Sequence, residues 1–404
     1  MPVNLEAPQT LAPVRGLRIG AVSLGVRRQP RDDLTLFELA PGATTAATFT
    51  RNAFCAAPVH VAREHLGAAT PRFLVINAGN ANAGTGPSGM LAARRVCDLV
   101  ASAGHCQANE VLPFSTGVIG EVLDTEPFAR AMPAAVAALE PDAWIKASQS
   151  ILTTDIVAKG VSRTFIVNDQ EHVITGIAKG SGMICPNMAT MLSFVATDAK
   201  VALPLLQQLL VEAVDLSFNC ITVDGDTSTN DACVLVATGA GEAITESSAD
   251  DLQALRDALV DVCTVLAQAV VRDGEGASKF ITVDVEGGRD REECRAVAYT
   301  VAHSPLVKTA MFASDANWGR ILAAVGRSPV SELDTDCINM YLDDVMIVEN
   351  GGRAAAYREE HGAQVMARDE ITIRIVLNRG PAQASVWTCD LSHGYVSINA
   401  DYRS

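Results

Sequence analysis

The sequence predicts an α+β fold, with layered mixed and antiparallel sheets and helices packed against them. Three observations carry that expectation. Short apolar runs, 73–77, 191–198, 232–239, 281–287 and 371–378, have the length and β-branched content of strands. Longer stretches between some of them carry apolar residues at helical spacing. The two kinds of element do not alternate strictly, which argues against a doubly wound parallel sheet.

Taken in order, the first clear helix is 91–103, LAARRVCDLVASA, after the strand FLVIN at 73–77. The strand MLSFVATD at 191–198 leads into a second helical stretch, 203–218. After the strand ACVLVATG, residues 250–271 place Leu252, Leu255, Leu259, Val262, Leu266 and Val270 on one face, with Ser247 or Ser248 as the N-cap. The last strand, ITIRIVLN, alternates Ile371, Ile373, Ile375 and Leu377 with other residues, a period of two.

Composition narrows the function. With 49% apolar and 19% charged residues the chain reads as a water-soluble globular protein, of two or three domains or one large one. A net charge of −16 argues against a nucleic-acid partner or an anionic membrane surface. No run approaches the ~20 apolar residues of a membrane span, and the first residues lack the basic start and apolar run of a signal peptide. The ten cysteines are scattered, without CxxC or zinc spacing. A reducing cytoplasm, buried thiols and no metal are the expectation.

Several loops are built from Gly, Ser, Thr and Asn rather than Lys and Glu. They include INAGNANAGTG (76–86), PFSTGVIG (113–120), SILTTD (150–155), AKGSGMICPNMATMLSF (178–194), FNCITVDGDTSTND (218–231), RDGEGASKF (272–280), SDANWGR (314–320) and VSINADYRS (396–404). Any one alone reads as a surface turn. Together they suit a backbone that closes on a small ligand. No GxxxxGK[ST] or GxGxxG is present, so KGSG is not a nucleotide cradle. Asp224 and Asp226 could hold Mg²⁺, but no phosphate-binding loop adjoins them.

The stretch 178–194 sets Thr190 after the small residue Ala189, behind Gly180, Gly182 and Pro186. An internal threonine hydroxyl is a weak nucleophile because nothing takes its proton. At a chain terminus the free α-amine, with a pKa near ~7.7–8.0, serves as its base. A chain makes such a terminus by attack of the hydroxyl on the preceding carbonyl, N-to-O shift and hydrolysis. A buried strand threonine is the ordinary alternative, since Thr favours strands.

AKGSGMICPNMATML resembles the cleavage-site signature of the ornithine acetyltransferase family, also called glutamate N-acetyltransferase or arginine-biosynthesis bifunctional protein. NAFCAAPV (52–59), NAGNANAGTG, STGVIG, TTD, VDGDTSTND, DGEGASK, SDANWGR and INADYRS follow in the family's order, so the resemblance spans the whole chain. Cys185 stands where many members have histidine, and Gly84 where many have cysteine.

The resemblance implies a self-cleaving, N-terminal-nucleophile-like fold, cut between Ala189 and Thr190 into an α chain, 1–189, and a β chain, 190–404, that stay together as a heterotetramer. It implies that acetyl passes from N2-acetylornithine to Thr190 and then to L-glutamate, in a ping-pong cycle of cytoplasmic arginine biosynthesis without a cofactor. Some members also accept acetyl-CoA. Thr116 and Gly117 match the oxyanion pair. Thr153 or its neighbour Thr154, Lys179, Glu275, Asn399 and Ser404 match substrate contacts, with Glu275 suited to ornithine's ammonium. Asp224, Asp226, Asn230, Asp315, Asn317 and Arg320 read as turn-forming residues. The alternatives are a self-cleaving aminopeptidase or amidohydrolase of related fold, in which water resolves the acyl-enzyme, and an inert binding protein.

Overall fold

A computed structural model describes residues 2–25, 31–185 and 191–400. Its architecture is α+β, as the sequence predicts. Two sheets lie face to face with a layer of helices outside each, and a third sheet with its own helices follows.

The first sheet orders its strands Leu17–Val22, Leu34–Leu39, Phe73–Asn80 and Val111–Val118. Its last pair is parallel, Phe73 lying level with Val111, and its other pairs are antiparallel. The central sheet orders Thr44–Phe49, Ala232–Ala237, Leu192–Thr197, Gln170–Lys179 and Lys159–Val167. Here only Ala232–Ala237 and Leu192–Thr197 run parallel.

The uninterrupted apolar runs have a simple cause: each of these strands is covered on both faces. Leu74 and Ile76 point between the sheets, while Phe73 and Val75 point to the outer helices Ala57–Ala68, Gly86–Gly104 and Glu126–Ala137. In the same way Leu192 and Phe194 face the first sheet, and Val195 faces the helices Leu203–Leu216 and Ala249–Arg272. Between the sheets Phe194 stacks on Phe37 at 5.5 Å and meets Phe114 edge-on at 5.2 Å. On the first sheet, a β-carbon at Gly20 would lie 2.5 Å from the Ala135 carbonyl, so glycine is what lets that helix approach the strand.

The helix Ala249–Arg272 matches the expected 250–271 and buries Leu255, Leu259, Val262, Leu266 and Val270; Leu252, at its start, is only partly covered. Ser248 holds the N-cap position, but its hydroxyl bonds to Thr245 in the preceding turn rather than to the helix. Asp250 and Asp251 in the first turn and Arg272 in the last suit the helix dipole instead.

The third sheet orders Gly352–Arg353, Val345–Glu349, Asn339–Leu342, Glu370–Val376, Phe280–Gly288 and Ala382–Cys389. Helices Arg291–Ala302, Pro305–Phe312, Trp318–Gly326 and Glu359–Met366 cover its apolar face, onto which Ile371, Ile373 and Ile375 project. All ten cysteines are unpaired thiols. No helix among the described residues is long and apolar enough to cross a membrane.

Candidate active site

The strands of the two facing sheets end together around a cavity of about 240 Å³. Thr116, Gly117, Thr153, Thr154, Lys179, Glu275 and Asn399 all line it. These residues come from five separate sequence blocks, and the fold brings them to one place. Ala189, Thr190 and Ser404 lie outside the described residues. Met191, which follows Thr190 in the chain, also lines the cavity.

Thr116 and Gly117 lie just before the end of the strand Val111–Val118, level with Ala78 and Gly79 of the neighbouring strand. Gly117 has φ +130°, and a β-carbon there would come within 2.2 Å of the Gly79 backbone. Only glycine fits, which leaves the wall beside its N–H free of a side chain.

Lys179 ends the strand Gln170–Lys179 and is only 8% exposed, unlike the usual surface lysine. Its Nζ donates to Thr153 Oγ1 at 2.8 Å and lies 3.7 Å from Asp155 Oδ2. Asp155 is a hub. Its Oδ2 also accepts from the Thr153 N–H at 3.1 Å, and its Oδ1 accepts from Lys159 Nζ at 2.7 Å and the Gly180 N–H at 2.6 Å. Lys159 donates in turn to Asp273 Oδ2 at 2.6 Å, and both of these side chains are fully buried. Burial alone would raise the Asp155 carboxyl, but Lys159 and Lys179 hold it well below the usual carboxylate range. Asp273, sharing Lys159, is pushed up by its burial.

Glu275 faces the cavity from the loop after the long helix and is 7% exposed. Its N–H donates to the Ser181 carbonyl at 3.0 Å, and a β-carbon at Gly182 would collide with its carboxylate. The C-terminal segment folds back as expected for Asn399. It forms the helix His393–Ala400, anchored where the Ser392 hydroxyl donates to the Gly276 carbonyl at 2.5 Å. Asn399 Nδ2 then donates to Glu275 Oε2 at 2.8 Å.

The turn blocks shape this wall. Asp224 accepts from the Met183 and Ile184 N–H groups at 2.6 and 2.9 Å, and so holds the chain leading toward Thr190. Asn230 Nδ2 donates to the carbonyls of Ala81 and Ser115 at 2.6 and 2.9 Å, tying the two sheets together beside the cavity. Asn317 caps the helix Trp318–Gly326 by accepting from the Arg320 N–H, a turn role as read from the sequence. Cys185 Sγ lies 3.3 Å from His303 Nε2, but burial pushes the thiol up to about 11 and lowers the imidazole, so the pair stays neutral. No group of three or more His, Cys, Asp or Glu side chains is arranged to hold a metal ion among the described residues.

Sequence reasoning gave no role to Asp155, Lys159, Asp273 or Asp231. The first and third sit inside the blocks SILTTD and RDGEGASKF, yet only the fold shows that one lysine joins them.

The sequence pattern of the ArgJ family matches residues 18–404. The chain is 55% identical over 403 residues to a Psychrobacter arcticus protein named arginine biosynthesis bifunctional protein ArgJ, covering 99% of each chain. It is 52% identical over 406 positions to the Pseudomonas syringae pv. tomato protein of the same name, covering the whole of both. A solved structure of the arginine biosynthesis bifunctional protein ArgJ from Bacillus halodurans is 39% identical, with a TM-score of 0.50, over 52% of this chain and 99% of that one. The match runs nearly end to end and includes every strand and loop that walls the cavity, so the chain belongs to the ArgJ family.

Proposed function

We propose that this protein is an acetyltransferase of arginine biosynthesis that moves acetyl from N2-acetylornithine to L-glutamate through O-acetyl-Thr190. The observation that carries the residue-level reading is the single cavity that gathers a Thr–Gly pair, a buried lysine, a buried glutamate and a C-terminal asparagine from distant blocks, with Met191 at its wall. The precursor cuts itself between Ala189 and Thr190 into chains 1–189 and 190–404, which stay associated as a heterotetramer in the cytoplasm. The solved Bacillus halodurans chain is aligned over 99% of its length against 52% of this one, so it is about half as long, the length of one fragment of a cut precursor.

Cleavage frees the Thr190 α-amine, which takes the hydroxyl proton while Oγ attacks the acetyl carbonyl. The negative charge that develops on the carbonyl oxygen is met by the Thr116 hydroxyl and the Gly117 N–H. The C–N bond breaks, ornithine leaves, and glutamate's amine attacks the acetyl ester in its place. Lys179, with Thr153 or Thr154 beside it, suits the substrate α-carboxylate. Glu275 with Asn399 suits ornithine's side-chain ammonium, and Ser404 is assigned to the same substrate contacts. No cofactor enters this cycle; acetyl-CoA is a second donor, tested by supplying it with glutamate alone.

On a denaturing gel the active protein is expected to run as two fragments of similar size, one with the N-terminal sequence TMLSF. Acetyl loss from acetylornithine should require glutamate. An uncut chain that retains full activity, or a Thr190→Ala variant that still transfers acetyl, sinks the mechanism. Loss without glutamate favours the hydrolase reading. Thr116→Ala is expected to lower turnover by roughly 10²–10³-fold while leaving cleaved chains assembled.

A further inference from the structure

One carboxyl in the cavity wall has no part in the cycle above. Asp231 immediately precedes the strand Ala232–Ala237, and the Ala232 N–H donates to the Met191 carbonyl at 3.0 Å. Asp231 therefore stands beside the residue that follows Thr190. It lines the cavity, is 3% exposed, and its Oδ2 is buried without a hydrogen-bond partner among the described residues. An unmade bond on a buried carboxyl costs on the order of 1–3 kcal/mol, so such a group asks for a reason.

The chemistry of the exchange supplies one, resting on the acetyl transfer proposed above. Both free amino acids carry their α-amine as an ammonium at neutral pH, whereas the acetylated forms carry a neutral amide. Ornithine must thus leave with one proton more than the Thr190 hydroxyl supplies. Glutamate must shed one proton before its nitrogen can attack. Over the whole cycle these cancel, but between one cycle and the next the free enzyme has to keep one proton somewhere, ready to lend.

We infer that Asp231 is that residence: its carboxyl gives a proton to departing ornithine and takes one from arriving glutamate. In the first half-reaction the acetyl C–N bond breaks and the Thr190 Oγ–acetyl bond forms. The proton from Oγ passes through the Thr190 amine to the leaving nitrogen, and Asp231 adds the second. In the return half-reaction the Asp231 carboxylate deprotonates the glutamate ammonium. The amine then forms the new C–N bond, one of its two remaining protons passes through the Thr190 amine back to Oγ while the other stays as the amide N–H, and the ester bond breaks. Each cycle restores both groups.

The surroundings agree. Burial raises Asp231 well above the ordinary carboxylate range, while Ser228 and the charge of Lys179 pull in the other direction. Glu275 lines the same cavity, and the nearby Cys55 thiol, pushed up by its burial, feels the charges of both Arg63 and Asp231. A carboxyl so placed can hold a proton where one with a buried cationic partner, such as Asp155, cannot.

The test compares two transfers in wild type and Asp231→Asn. Acetylornithine to glutamate needs the proton twice. p-Nitrophenyl acetate to hydroxylamine needs it in neither half, because the nitrophenolate leaves as an anion that takes no proton, the Oγ proton passing through the Thr190 amine to water, and hydroxylamine arrives as a neutral amine. Asp231→Asn is expected to lose roughly 10²–10⁴-fold in the first transfer, the range for general acid–base catalysis, and to keep the wild-type rate in the second. Equal loss in both, or no loss in the first, overturns the assignment. If the variant does not mature, time-resolved infrared on the wild type decides. The carbonyl band of a protonated carboxyl should vanish on acetylation by acetylornithine and persist on acetylation by p-nitrophenyl acetate; an unchanged band in both cases refutes the role. Failure of wild type to gain acetyl on the fragment beginning TMLSF would count against the Thr190 cycle itself, a separate result.

Discussion

Asp155 and Asp231 are the same residue type, each with a buried side chain, each beside one cavity, and they titrate in opposite directions. Asp155 has a lysine at 2.7 Å, a second at 3.7 Å and two backbone N–H donors. Asp231 is hydrogen-bonded to Ser228, and its Oδ2 has no partner among the described residues. Burial by itself penalises the charged form of both, so what separates them is the set of donors each one finds. One wall of the cavity is thereby a fixed charge array that frames Thr153 and Lys179. Asp231 lines the same cavity without a buried cation bonded to it among the described residues. The difference teaches that in this site compensation, rather than depth, assigns the roles.

Removing the compensation should erase the difference, and this is the largest effect expected on the fold. Lys159→Met leaves Asp155 and Asp273 buried together without their shared cation, a loss of about 3–5 kcal/mol. The pH dependence should also invert. In the wild type the depressed Asp155 carboxyl contributes stability that is complete above its unfolded pKa of ~3.9 and is lost as pH falls below it. In the variant the same carboxyl is raised, so stability should fall as pH increases above ~3.9. Unfolding midpoints of both proteins from pH 4 to 8 check this. A variant as stable as wild type at pH 8 would mean that the array is not held by Lys159.

The converse change is made at Asp231. Asp231 is raised in the folded state, so ionising the unfolded chain alone makes stability fall as pH rises from ~3.9 toward its folded value. Asp231→Asn removes that penalty while keeping the shape. The variant is expected to melt higher than wild type at pH 8, with the gain shrinking toward pH 4, even as acetyl transfer to glutamate fails. Gain of stability with loss of activity is the signature of a group kept for chemistry at the expense of the fold. A lower melting point at pH 8 would show that the carboxylate is compensated after all, and the contrast with Asp155 would collapse.

Much of the frame was legible in the sequence because its cause is local. FLVIN and MLSFVATD read as continuously apolar strands since both faces of each are covered, and Leu255, Leu259, Val262 and Leu266 read as one helix face because they pack on one sheet. Ser248 misled in part: its hydroxyl found a nearer partner in the turn at Thr245 than in the helix. The polar blocks announced a site, and resemblance to a family named Thr116, Lys179, Glu275 and Asn399, which meet at one cavity. The states of Asp155 and Asp231 were not legible. They depend on Lys159, which lies outside every block, on an aspartate more than a hundred residues away from it and on the lack of a donor to Asp231 Oδ2 among the described residues, and none of these has a sequence pattern. The block VDGDTSTND presents three aspartates among hydroxyl residues and TTD presents one, and nothing in that wording separates the carboxyl that meets a buried lysine from the one that does not.

The smallest effect sets the scale for the other two. Glu370, far from the cavity, pairs with both terminal nitrogens of Arg272 at 2.8 and 2.9 Å and accepts from Asn4 Nδ2 at 2.9 Å, and the Arg272 hydrogen bond draws it down to about 2. Its geometry rivals that of Asp155, but its side chain is 44% exposed, so water already solvates its charge. Glu370→Gln is therefore expected to cost only about 0.2–1 kcal/mol at pH 7, the range for exposed pairs, and less in high salt. The Arg272 guanidinium would keep its place over the Phe280 ring at 4.0 Å, which limits the loss further. In the wild type this contribution is present above the unfolded pKa of ~4.3 and disappears as pH drops toward the folded value of about 2. Unfolding midpoints at low and high salt measure it. A cost rivalling that of Lys159→Met would mean that bond geometry, and not burial with compensation, governs the carboxyls of this protein.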